Sequence, residues 1–183
     1  MWMQSGRPAR RTPWPLWGNC WRRIWSMSMS TRRPRSWRSR LRNLLRRSWA
    51  DKWLLAQVYV LLGVTRLAIN TLSFPRLARH FGPHKVETPA AAAPADLAAA
   101  RRIAWAIQRV SPYTPWKSNC YPQALTAKLL LRQRCIPSTL YLGAAFKADK
   151  TGMEAHAWLR CGPLYVTGGK GDESFGVLGV FGA

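Results

Sequence analysis

The sequence predicts an α+β fold: a helix carrying a cysteine at its first turn, packed on a small antiparallel sheet and preceded by N-terminal helices. Helix-periodic apolar stretches at Trp53 to Leu72 and Leu97 to Val110 precede Cys120, and a third begins at Cys120 itself. Everything after Ser138 breaks into short β-rich segments separated by Gly, Pro and Asp turns.

A chain of 183 residues that is 48% hydrophobic can bury one ordinary core and an appendage. The formal charge of +22 is concentrated at one end, because residues 1–50 hold thirteen arginines with no lysine and no acidic residue. That head also carries seven of the eleven tryptophans, scattered without helical or strand period, so it is expected to be disordered. Three explanations compete for it: an arm for RNA or a membrane surface, a targeting peptide, or translation from an upstream start. The third is expected for residues 1 to about 26, with Met27 and Met29 as later starts. An apolar h-region with a small-residue cleavage site is missing from residues 1–30, and the four cysteines are widely spaced, so a cytoplasmic protein with separate thiols is expected.

Taken in order, residues 51–81 read as an apolar helix stopped by Pro75 and a short basic helix, FPRLARHF. The unbroken apolar part is about a dozen residues, short of the ~20 a bilayer span requires, so a buried or partner-binding helix is expected, with peripheral membrane contact left open. Residues 82–95, rich in Pro and Ala, read as a linker and domain boundary. Residues 96–183 form the second domain, opening with a helix that Asp96 is expected to cap. Asn119 and Pro122 suit a helix start at Cys120, with Asn119 as cap. Strands are expected at Ser138 to Phe146, Ala155 to Cys161, Leu164 to Thr167 and Phe175 to Phe181.

A cysteine at the first turn of a helix meets the positive end of the backbone dipole and unpaired N–H groups, which favour a thiolate and a developing oxyanion. Lone cysteines are nevertheless often small buried hydrophobes, so Cys120 needs a partner to be read as a nucleophile. His156 supplies one: it sits mid-strand between Ala155 and Ala157, with room for its ring to face a cleft. His80 and His84, beside Gly, Pro and Lys, read as solvated loop residues. A thiol on a helix start and an imidazole on a later strand is an arrangement in which the ring deprotonates the thiol for attack on a carbonyl. Cys135 and Cys161 read as packing residues, a metal site of Cys120, Cys161 and His156 being the lesser alternative.

The segments NCYPQALTAKLLLRQRCIPSTLYLGA, EAHAWLRCG, LYVTGG and FGVLGVFG, within residues 100–183, resemble the transglutaminase-like processing peptidases of lasso-peptide pathways. The resemblance implies a papain- or transglutaminase-like fold and a cysteine peptidase that removes the leader from a ribosomally made precursor peptide. It carries over Cys120 as nucleophile and His156 as base. Members with a full triad place an aspartate about twelve residues past the histidine, where this chain has Gly168. Asp172 is the substitute orienter, with Thr167, a backbone carbonyl or water as the other options. The implied partners are a leader-recognition protein and an ATP-dependent lasso cyclase, through which any ATP dependence would arise; no cofactor and no specific nucleic acid are expected. Two other readings stay open: an amide-forming acyl transferase of the same fold, and a non-enzymatic protein binding RNA or a membrane through its basic head.

Overall fold

The computed structural model describes residues 47–146, 152–169 and 175–183. The chain divides into two units, Met1–Arg46 and Arg47–Ala183, and the described residues all belong to the second. The expected head therefore lies outside the described residues, apart from residues 47–50.

Helix α1, Trp49–Thr71, begins earlier than its apolar run suggests because the Ser48 hydroxyl accepts from the Asp51 backbone N–H at 3.2 Å. It stops before Ser73, which opens the short helix α2, Phe74–Ala78, with Pro75 in the first turn where a missing N–H costs nothing. Helix α3, Pro94–Val110, starts ahead of Asp96. Pro94 takes its first turn and Asp96 stands inside it as an acidic residue favoured by the dipole, not as the cap. A single 3₁₀ turn, Ser111–Tyr113, leads toward helix α4, Cys120–Arg132.

Strands β1 (Thr139–Phe146), β2 (Met153–Cys161), β3 (Leu164–Thr167) and β4 (Gly176–Gly182) form one antiparallel sheet in the order β3-β2-β1-β4. The hairpin register pairs Leu140 with Leu159 and Tyr141 with Trp158. Because side chains alternate across a strand, Leu140, Ala157, Leu159 and Cys161 share one face. That face closes on the buried residues of α1 (Leu54, Val58, Leu62), α3 (Ile103, Ile107) and α4 (Leu130, Leu131) as one continuous core. Thr65 and Thr126 bond to one another at 3.2 Å inside the α1–α4 seam, which satisfies two buried hydroxyls.

The Pro/Ala segment does not separate two units, since residues 47–183 are one compact body. Its composition suits irregular chain, but backbone pairing fixes its path: Lys85 donates to the Val180 carbonyl at 2.8 Å, and the Thr88 hydroxyl meets that of Thr139 at 2.7 Å. Arg160 then clamps it by donating to the Thr88 carbonyl at 3.0 Å.

Candidate active site

Cys120 is the first residue of α4 and is half-buried. Asn119 occupies the capping position, but its side chain makes no capping bond; the Gln123 amide instead donates to the Ser118 carbonyl at 2.7 Å and ties the approach to the first turn. That approach is also pinned from the side. The Trp116 ring packs on Tyr59 at 5.2 Å, and a Cβ built on Gly63 would lie 3.0 Å from it, so the indole sits directly against the α1 backbone. Tyr121, next to the thiol, is half-buried with a hydroxyl that finds no partner among the described residues, and burial pushes its pKa up to about 12.

His156 lies mid-β2 opposite Gly143. By alternation it shares its face with Trp158 and not with the helix-facing Ala157 and Leu159. Its ring lies 5.8 Å from Trp158 and 4.9 Å from Phe175, near-parallel to both. In the sequence Phe175 reads only as a strand start; its sole signal is an aromatic residue directly after the GGKGDES turn.

The decisive contact is between His156 Nε2 and the Gly168 carbonyl, at 2.9 Å. A carbonyl can only accept, so Nε2 carries the hydrogen and, in the neutral ring, Nδ1 keeps the lone pair. Of the possible orienters, a backbone carbonyl is the one in place, and it belongs to the residue standing where the resemblance puts an aspartate. Thr167 is not on the ring: it pairs with Leu159, and its hydroxyl is buried without a partner among the described residues. Asp172 lies outside the described residues. Gly168 is required there, because its φ is +80° and a Cβ would meet the Ala157 carbonyl at 2.6 Å.

Helix α4 packs on β2, across the face of Ala157 and Leu159, whereas the His156 ring stands on the opposite face beside Trp158. Among the described residues no hydrogen bond joins Cys120 to His156, and Nδ1 makes none.

Cys161 is buried against the core, and burial pushes its thiol pKa up, which suits packing. Cys135 corrects the sequence expectation. It is exposed at φ +56°, in the left-handed position that ends α4, while Ile136 donates back to the Leu131 carbonyl at 3.0 Å. Among the described residues no three His, Cys, Asp or Glu side chains gather to hold a metal.

A family model described as "Transglutaminase-like superfamily" matches residues 67–180, more than half of the chain. No curated protein and no solved structure matches it. The match runs from inside α1 into β4 and takes in both Cys120 and His156. Together with a cysteine-led helix on a four-stranded antiparallel sheet, it shows that the chain belongs to the transglutaminase-like superfamily, whose members are generally cysteine peptidases or acyltransferases.

Proposed function

We propose that this protein is a cysteine peptidase that removes the leader from a ribosomally made lasso-peptide precursor. The observation that carries the chemistry is the Gly168 carbonyl on His156 Nε2, because it leaves Nδ1 as the basic nitrogen. In the reaction, His156 takes the proton of the Cys120 thiol as the sulfur attacks the scissile carbonyl. The carbon–nitrogen bond then breaks, the proton passes to the leaving amine, and the leader remains as a thioester on Cys120. Water, deprotonated by the same imidazole, resolves the thioester and releases the leader carboxylate. Backbone N–H groups at the start of α4 are the oxyanion donors in this scheme.

The choice of substrate rests on the sequence resemblance, as do the partners: a leader-recognition protein that delivers the precursor, and an ATP-dependent cyclase that consumes the freed amine. The test incubates the candidate precursor with the protein and its recognition partner and follows product masses for wild type, Cys120→Ala and His156→Ala. Leader release by wild type alone supports the peptidase. Capture of the acyl group by an amine makes the enzyme an acyl transferase instead, and cleavage that persists in Cys120→Ala refutes the mechanism.

A further inference from the structure

Helix α1 presents two unlike faces. Leu54, Val58, Leu62 and Thr65 are buried in the core, while Trp53, Val60 and Leu67 are 67%, 59% and 63% exposed. With Trp49 and Val64, which are also exposed, these residues recur on one side of the helix, since each lies within about 40° of Trp53 at 100° per residue. The result is an apolar ridge about 27 Å long at 1.5 Å per residue, continued by exposed Phe74 on α2. Contiguous exposed apolar surface of this kind marks an interaction site.

The charges around the ridge indicate its partner. Between Arg47 and Phe81 the only acidic residue is Asp51, and Arg102 holds its carboxylate at 2.8 Å, with Arg47 at 3.9 Å. The Arg102 hydrogen bond keeps the Asp51 carboxyl below its ordinary pKa, so it stays ionised and occupied. Lys52 near one end of the ridge and exposed Arg76 and Arg79 on α2 near the other are its cations, and Lys52 Nζ lies 5.0 Å over the Trp49 ring. A convex apolar ridge, with cations near both ends and tryptophan at one, matches a flat anionic surface whose interface accepts indole rings. A second copy would set like charges against each other, which disfavours pairing through this face.

We infer that α1 lies along an anionic membrane surface with Trp53, Val60, Val64 and Leu67 inserted at the headgroup boundary. The helix is long and apolar enough to cross a bilayer, with a mean hydropathy of 1.4 over its best window. It does not span, because its opposite face holds α3 and α4 in the core. The inference stands independently of the role given to Cys120.

The experiment is vesicle flotation of the full chain, with phosphatidylcholine vesicles alone or with added phosphatidylglycerol, at low and high salt. Wild type is compared with Val60→Glu/Leu67→Glu and with Val60→Ser/Leu67→Ser, while circular dichroism checks that each stays folded. Every protein carries the same arginine-rich head, so any difference belongs to the ridge. Wild type is expected to float with the anionic vesicles and keep part of its binding at high salt. The glutamate variant is expected to bind about a hundredfold more weakly, from two apolar side chains withdrawn from lipid. The serine variant falls between them. Equal binding by all three proteins, or no flotation of wild type, overturns the inference. So does wild-type self-association that the glutamate variant abolishes while vesicle binding is unchanged.

Discussion

Both faces of the sheet carry buried side chains but are built differently. On the helix side, Leu140, Leu159 and Phe181 pack into an aliphatic core continuous with three helices. On the other, Tyr141 and Trp158 stack at 5.5 Å with their rings nearly parallel, and the row continues through His156 to Phe175. The first face supplies mainly transfer free energy and tolerates shape changes that conserve volume. The second holds one imidazole at a set orientation, by ring packing and by a single carbonyl. Under the proposed mechanism, stability and chemistry are divided between alternate residues of one strand, and substitutions should separate them.

The largest effect on stability is expected from Leu159→Ala on the helix side. Truncating a fully buried leucine should lower unfolding free energy by about 2–5 kcal/mol in a denaturant titration. The His156 ring nitrogens, read by ¹⁵N NMR, should keep the Nε2–H tautomer. A changed tautomer would mean that the two faces are not independent.

Gly168→Ala is the converse. Its Cβ would strike the Ala157 carbonyl and the Trp158 Cβ, both at 2.6 Å, in a backbone conformation that disfavours side chains. A cost of about 1–3 kcal/mol and loss of the fixed tautomer are expected together. An unchanged ¹⁵N spectrum would show that the carbonyl does not orient the ring.

Lys128 gives a pH test of the helix-side core. It is 1% exposed, donates to the Ser138 carbonyl at 2.6 Å, and burial, with Arg132 nearby, pushes its pKa down to about 8. The unfolded chain, at the ordinary 10.5, binds more protons between those values, so stability should rise as pH climbs from 8 toward 10. Tyr121, raised from 10.0 to about 12, acts oppositely, because the unfolded chain ionises first and stability falls above pH 10. Thermal melts of wild type and Lys128→Met should differ in slope across pH 8–10, with the variant lacking the rise. Parallel curves would refute the assignment.

The smallest effect belongs to Cys135→Gly. Relieving a left-handed, exposed non-glycine residue at the end of α4 should stabilise by about 1 kcal/mol, measured by denaturant midpoint at constant slope.

Much of this architecture is legible in the residues. The helix from Cys120 and the strand Leu164–Thr167 begin where periodicity and turns put them, while β1 starts one residue later, β2 two residues earlier, and β4 is displaced by one residue at both ends. The features that escape such a reading are decided by contacts distant in sequence. Nothing local says that Thr88 will find Thr139 and turn a Pro/Ala segment into part of the compact body. Ser48 and Pro94 out-compete the apolar pattern and Asp96 at two helix starts, because capping is settled by one hydroxyl or one fixed φ. At the site, Cys120 and His156 can be singled out by position. The carbonyl on the ring cannot be, since a backbone acceptor has no side-chain signature and glycine here is dictated by a tight approach.

The central claim, that His156 acts on Cys120, is tested most directly without substrate by timed iodoacetamide alkylation at neutral pH, mapped by peptide mass spectrometry. Cys120 is half-buried and Cys135 exposed, so accessibility alone predicts faster modification of Cys135. A thiol activated by His156 predicts the reverse, with Cys120 modified first in wild type and slowed below Cys135 in His156→Ala. Equal Cys120 rates in wild type and His156→Ala would contradict the account.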